Sequence, residues 1–419
     1  MHSIGHLFAL LALLLHVAQS SLDSSSYTCP NAPVSLASAG PGDAHYDTKP
    51  FISGARTFLG GVIGPFSGEV IPVTSPIIDS STNKRTVIGE MAQMREADAM
   101  QALAAAQRAW SNGQGTWPQM SAAERIAALQ NVVAALKLRR AEIVNALMWE
   151  ICKTSADAAL EFDRTVLFIE ATLKAYRDAD SASTWRTVQG VLARVRRAAI
   201  GIVLCLGPFN YPINETYTTL IPALLSGNVL ILKIPTLGGL AHVLTMEAYA
   251  QHLPPGTINF ISGSGRGVHM LCLSACLPAR SGCRYRSSTH CAHTHTLTHT
   301  LFLTQTHTPH VATMSPLMKS GTIDALAFIG GSVAADAIIK DHPHPHRLKL
   351  FLQLEGKNLG IVLPDADLDV AVEQVAIGAT TFNGQRCTAI KLVFVHASLA
   401  DSFVEKLATR IASLKVGQP

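Results

Sequence analysis

The sequence is poor in charge: only 15% of its 419 residues are Asp, Glu, Lys or Arg, and the formal net charge is +4. No cluster of Lys and Arg interleaved with aromatics occurs, which removes nucleic acid as an implied partner. The run from Arg194 to Arg197 is short enough to be a solvated strand end. Long apolar runs are missing too. No stretch reaches the roughly 18 uninterrupted apolar residues of a membrane span, so integral membrane association is not expected. The eight cysteines, at positions 29, 152, 205, 272, 276, 283, 291 and 387, show no spacing that repeats like a disulfide framework. With 48% hydrophobic residues the chain can bury large cores, and its length suits two or three domains.

Three segments stand outside any folded pattern. In 1–20 an apolar stretch from Leu7 to Val17 precedes Ala18, Gln19 and Ser20, which resembles a small-residue cleavage site, although the preceding residues carry His2 and His6 and no Lys or Arg. This signal-like start points to the secretory pathway or an organelle, or to the cytoplasm if the start codon is misassigned. Residues 21–47 are rich in Ser, Pro, Gly and Asp and read as a linker or processed leader. Residues 268–312 hold four cysteines and a series of histidines, partly as Thr-His repeats. That is enough ligand for zinc, but the spacings match no finger or ribbon. Thr-His repeats are also what a repeated CA dinucleotide encodes, so read-through of non-coding sequence is the expected origin and no metal is assigned.

The remaining sequence alternates helical and strand periods. Apolar residues recur at helical spacing over 98–110 and over 121–150, the second opened by a Ser121/Glu124 capping box. Buried strands are expected at 200–206, 228–234 and 257–262, with helices at 211–225 and 239–252 between them. This is a parallel β-α-β succession. It resumes after the insert with a strand at 323–328, a helix at 332–341, an alternating strand at 347–355, a helix at 365–380, a strand at 390–396 and a helix at 399–414. The expected fold class is doubly wound α/β.

Three motifs carry chemistry, in this order: Gly207-Pro208-Phe209-Asn210-Tyr211-Pro212, then Leu354-Glu355-Gly356-Lys357-Asn358, then Phe382-Asn383-Gly384-Gln385-Arg386-Cys387-Thr388. Together they resemble the aldehyde dehydrogenase superfamily, and within it the branch of NADP-dependent, non-phosphorylating glyceraldehyde-3-phosphate dehydrogenases. The resemblance runs from about residue 50 to 267 and from 313 to 419. It implies a Rossmann-type cofactor domain over 48–345, with an oligomerisation hairpin at 180–197, and a partial α/β catalytic domain over 346–419. The sequence stops 32 residues past Cys387, so the resemblance implies a catalytic domain shortened at its C-terminus. A family-type homo-oligomer is expected only if that further region is present.

Oxidising an aldehyde needs a nucleophile that creates a tetrahedral centre from which hydride can leave, and a thiolate does this well. Cys387 is the expected nucleophile. An oxidising destination would threaten such a thiolate, so the signal-like start and this chemistry pull against each other. By resemblance, the Asn210 amide and the Cys387 backbone N–H receive the oxyanion. Hydrolysis of the ensuing thioester needs a general base, and here the sequence departs from the family. Gln353 stands where the catalytic glutamate belongs, so Glu355, two residues along the strand and on the same face, is the expected base. The resemblance puts the cofactor against Lys233, Thr236, Gly263, Gly330 and Ser332. Thr236 stands where NAD-preferring relatives often carry an acid, which favours NADP over NAD. Tyr211 and Arg386, with Arg177 in addition, are the expected contacts of a substrate phosphate. The implied function is oxidation of a small-molecule aldehyde, glyceraldehyde 3-phosphate, to its carboxylate. The alternative is a catalytically inactive relative that at most binds nucleotide.

Overall fold

A computed structural model describes residues 49–79, 81–263 and 313–414. The signal-like segment, the linker and the Cys/His-rich insert lie outside the described residues. In chain order the strands are β1 (Ile52–Gly54), β2 (Arg56–Leu59), β3 (Val62–Pro65), β4 (Val70–Asp79), β5 (Lys84–Ala92), β6 (Arg186–Val188), β7 (Val191–Ala193), β8 (Ile202–Leu206), β9 (Val229–Lys233), β10 (Ile258–Ile261), β11 (Ala325–Ile329), β12 (Lys349–Gln353), β13 (Asn358–Val362) and β14 (Ile390–Val395). The helices are α1 (Glu96–Trp110), α2 (Thr116–Gln119), α3 (Ala122–Leu138), α4 (Arg140–Ile151), α5 (Ser155–Ser181), α6 (Asn214–Leu225), α7 (Gly239–Val243), α8 (Met246–His252), α9 (Met314–Lys319), α10 (Ser332–Lys340), α11 (Leu368–Thr380) and α12 (Ala400–Ala412).

A seven-stranded sheet in the order β12-β11-β8-β9-β10-β2-β3 forms the centre. From β12 to β10 all pairings are parallel. Every residue of β8, β9, β10 and β11 is buried, as strands covered by helices on both faces must be. Successive side chains enter opposite cores. Val203, Cys205, Leu230 and Leu232 pack with α3, α4 and α6, while Ile202, Leu204, Val229 and Ile231 pack with α1 and α9. The chain runs outward from β8 to β10 on one side and from β11 to β12 on the other. The switch point between β8 and β11 thus opens a crevice at the carboxyl edge, where open α/β sheets bind ligands.

Several expectations are corrected. The stretch 121–150 is two helices, because Arg139 leaves helical geometry between α3 and α4 and its guanidinium donates to Leu244 O at 2.9 Å. The stretch 239–252 likewise divides into α7 and α8. The long helix α5 was not anticipated, because Glu161 and Thr165 sit within its buried stripe and interrupt the apolar period. The N-terminal sheet β1-β5-β4 and strand β13 were also missed. The hairpin over 183–197 is present as β6 and β7, joined by Gln189 and Gly190, both at positive φ, the pair of conformations a tight hairpin turn needs. No described helix is long and apolar enough to cross a membrane.

Candidate active site

The carboxyl ends of β8, β9, β11 and β12 carry the groups the sequence singled out. Past Leu206 the chain turns at Gly207, packed so closely on α6 that a Cβ would lie 1.5 Å from Thr216 Oγ1. That approach sets the loop bearing Asn210, whose amide donates to Gln385 O at 2.6 Å. Cys387 itself lies in a turn between α11 and β14, the return limb of the β13-α11-β14 unit. The Asn358 amide grips this turn, donating to Cys387 O and, at 3.2 Å, to Ala389 O. The half-buried thiol is free, and the Gln353 amide approaches its Sγ at 3.8 Å. Residues far apart in sequence meet around one turn.

Two loops are tied together from beneath. Lys153 and Glu161 form an ion pair whose side chains are wholly buried, and burial lowers the lysine pKa and raises that of the glutamate. The second oxygen of Glu161 accepts from the N–H groups of Ile213 and Asn214 at 3.1 and 3.2 Å, at the start of α6. The Lys153 ammonium lies 3.6 Å from the Tyr211 ring centroid and 4.6 Å from that of Phe382, both within cation–π reach. The two rings meet edge to face at 5.8 Å. Phe382, Asn383 and Gly384 all have positive φ, at 53°, 54° and 68°. One buried cation therefore joins the Asn210 loop to a strained turn leading into Cys387.

At the carboxyl end of β9, Lys233 is a buried cation whose Nζ donates to Ile234 O at 2.7 Å. Burial alone pushes its pKa down to about 8. No carboxylate among the described residues offsets that cost. Gly263, with φ +106°, passes so near Met94 that a Cβ would stand 2.7 Å from its carbonyl oxygen. Thr236 is exposed beyond Lys233, and Gly330 leads through Gly331 into the N-terminus of α10 at Ser332.

The aldehyde dehydrogenase family model matches residues 68–274 and 304–419. The chain belongs to the aldehyde dehydrogenase family. It is 32% identical over 313 residues to an NADP-dependent glyceraldehyde-3-phosphate dehydrogenase of Streptococcus equinus, covering 73% of this chain and 56% of that protein. An Arabidopsis thaliana protein of the same name is 27% identical over 366 residues, covering 84% and 61%. The crystal structure of the NADP-dependent glyceraldehyde-3-phosphate dehydrogenase from Bacillus halodurans, complexed with NADP, aligns at a TM-score of 0.67 with 26% identity, covering 87% of this chain and 66% of that one. This chain thus spans little more than half the length of the curated relatives it matches.

Within this aldehyde dehydrogenase fold, two expected site residues lie elsewhere. The Glu355 carboxylate accepts from the Ser332 N–H at 2.7 Å and from its hydroxyl at 2.6 Å, and these bonds, the hydroxyl's first, hold its pKa below the usual range. Glu355 is thereby turned to the start of α10, and Gln353 takes the place beside sulfur. Arg177 is exposed on α5, sixteen residues beyond Glu161 and so about 24 Å further along the helix axis. It does not reach the Cys387 pocket. Arg164, one turn past Glu161, does act on the site: its charge and that of Arg386 both favour ionisation of Tyr211, against the larger opposing effect of burial. Arg386 is also engaged locally, donating to Gly378 O at 3.0 Å near the carboxyl end of α11, where a cation is favoured.

Sequence reading also missed Glu215, in the first turn of α6. It is half-buried, and burial raises its pKa against the opposing influence of the Gln353 side chain and the Lys153 charge. The acidic first turn was visible in the sequence, but nothing there reveals the influence of a side chain 138 residues later.

Proposed function

We propose that this chain carries the oxidation of an aldehyde to a carboxylate with NADP, through a thioester on Cys387, and that its substrate is glyceraldehyde 3-phosphate. The observation that carries this reading is the bond of the Asn210 amide to Gln385 O, two residues before the free Cys387 thiol. As the Cys387 thiolate bonds to the aldehyde carbon, the carbonyl π pair moves onto oxygen. The Asn210 amide and the Cys387 N–H are the donors for that oxyanion. NADP, when bound, supplies the hydride acceptor that turns the tetrahedral adduct into a thioester.

Lys233 suits the cofactor because a buried cation without an acidic partner among the described residues favours an incoming phosphate. Thr236 adds no carboxylate to repel it, and Gly330 and Ser332 lie at a helix start. The Ser332 N–H fits less well, because Glu355 already occupies it. Arg386, Arg164 and the Tyr211 hydroxyl supply a cationic, hydrogen-bonding end for a substrate phosphate.

Incubation of the purified protein with glyceraldehyde 3-phosphate and NADP is expected to produce NADPH, read by its absorbance. Glyceraldehyde is expected to react with a higher KM. Absence of NADPH from every aldehyde tried refutes the activity, and equal KM values for the two substrates refute the phosphate site. Asn210→Ala is expected to lower kcat about 100- to 1,000-fold, as loss of one oxyanion donor does elsewhere.

A further inference from the structure

The junction of α4 and α5 carries two charged side chains three residues apart, Glu150 and Lys153, both buried. Each holds a different loop. The Glu150 carboxylate accepts from the N–H groups of Gly239 and Leu240 at 2.9 and 3.0 Å, which fixes the turn ahead of α7. In that turn Gly238 presses on the Asn210 loop: a Cβ there would lie 2.8 Å from Pro212 Cγ and 3.0 Å from Phe209 O. Lys153 meets the same loop through the Tyr211 ring and reaches the Phe382 ring as well. These contacts close a circuit. From the Lys153 ammonium they run to Tyr211, along the chain to Asn210, through its amide to Gln385 O, back along the chain to Phe382, and return to the ammonium.

We propose that Lys153, with Glu161 as its counter-charge, is a positioning residue that sets the Asn210 amide against the Cys387 turn. The inference rests on Cys387 as the nucleophile and Asn210 as an oxyanion donor of the proposed reaction. A buried ion pair has an ordinary explanation as a satisfied part of the core. Stability alone does not require it, however, because apolar side chains of similar volume often replace such a pair without loss, and that explanation leaves the two rings unaccounted for. An ammonium within reach of two rings is attracted to both and so opposes their separation. Tyr211 directly follows Asn210, and Phe382 stands five residues before Cys387, so holding the rings together holds the oxyanion donor to the reactive turn. The Glu161 oxygen that accepts from the Ile213 and Asn214 N–H groups fastens the far end of the same loop. Such placement matters to the rate, since a shift of about 1 Å in a reacting arrangement can cost about 100-fold.

An activated ester such as p-nitrophenyl acetate acylates a reactive thiol without cofactor and forms an oxyanion as it does so. The rate of its nitrophenolate burst therefore reads the placement of Asn210 apart from nucleotide binding. Lys153→Met combined with Glu161→Gln removes both charges together and keeps a side-chain oxygen for Ile213 and Asn214. This neutral pair is expected to melt near wild type and to acylate about 10- to 100-fold more slowly. Adding Asn210→Ala to it is expected to cost little more, because the cation acts through that amide. A wild-type burst rate in the neutral pair overturns the assignment. So does a loss from Asn210→Ala as large in this background as in wild type. If the neutral pair does not fold, Phe382→Leu keeps the ion pair and removes one ring: a slower burst is expected, and an unchanged one overturns the proposal. Absence of any acetyl group on Cys387 of the wild type, followed by peptide mass spectrometry, overturns the proposed reaction and the inference with it, a different failure from slow acylation of a folded variant.

Discussion

The site has two halves built on very different ground. The half proposed for the nucleotide stands on β8 to β11, where every strand residue is buried and both faces are covered. Its sulfur half stands on β13 and β14, a two-stranded parallel pair backed by a small core of Val362, Val372, Val375 and Phe403. Leu359, Ile361, Leu392 and Phe394 on those strands are 44–66% exposed, and β12 beside them is exposed along its whole length. The sulfur half is positioned less by its own core than by polar ties: Asn358 to Cys387 O, Asn210 to Gln385 O, and the Lys153 ammonium on Phe382. Apolar burial holds one half, and a few directional contacts borrowed from the other half hold the second.

The sharpest way to break this comparison is chemical. Cys387→Ser is expected to reduce aldehyde oxidation by about four orders of magnitude or more, with nucleotide binding retained in the other half. A fluorescence titration with NADP run beside the rate assay checks both. Lys153→Met attacks the tie between the halves. It leaves Glu161 buried without its counter-charge and is expected to cost about 3–5 kcal/mol, read as a fall in denaturant midpoint.

Lys233→Met probes the nucleotide half alone and should act in the opposite direction. With a folded pKa of about 8 against a usual 10.5, the unfolded chain binds more protons than the folded one between those values. Wild-type stability attributable to Lys233 therefore rises with pH across that window. The variant is expected to lack the rise, to be more stable at pH 7 by up to about 3 kcal/mol, and to bind NADP more weakly. Denaturant melts at pH 7 and pH 10 check the first two points. The smallest effect is dynamic: backbone amides of β13 and β14 are expected to exchange with deuterium before those of β8 and β9. Equal protection of the two pairs contradicts the contrast drawn above.

Legibility in the sequence followed the same division. Strands β8 and β9 were readable because an all-apolar run between turn residues has few alternatives in a chain of this composition. The motifs around Asn210 and Cys387 stood out because they are local, and the fold brings the Asn210 amide to Gln385 O, two residues before Cys387. Residues whose role depends on contacts across the fold were not readable. Glu355 looked suitable because it shares a strand face with Gln353, yet the Ser332 amide at the start of α10 draws its carboxylate away. Arg177 looked suitable as a nearby cation, but the rise of an unbroken α5 carries it beyond reach. Lys153 went unnoticed because the rings it lies against, Tyr211 and Phe382, come from distant loops.

The turn before Cys387 has a further consequence. A bulky residue such as phenylalanine in the left-handed region is disfavoured, and Phe382 stays there while its ring is clamped by Tyr211 and Lys153. Side chain and backbone at this position thus exert opposing demands. Glycine would relax the main chain and lose the clamp, while any other aromatic would keep the clamp and the strain. This position, five residues before Cys387, consequently has few acceptable substitutes, whereas the neighbouring Asn383 is exposed, and its short polar side chain tolerates the same left-handed conformation.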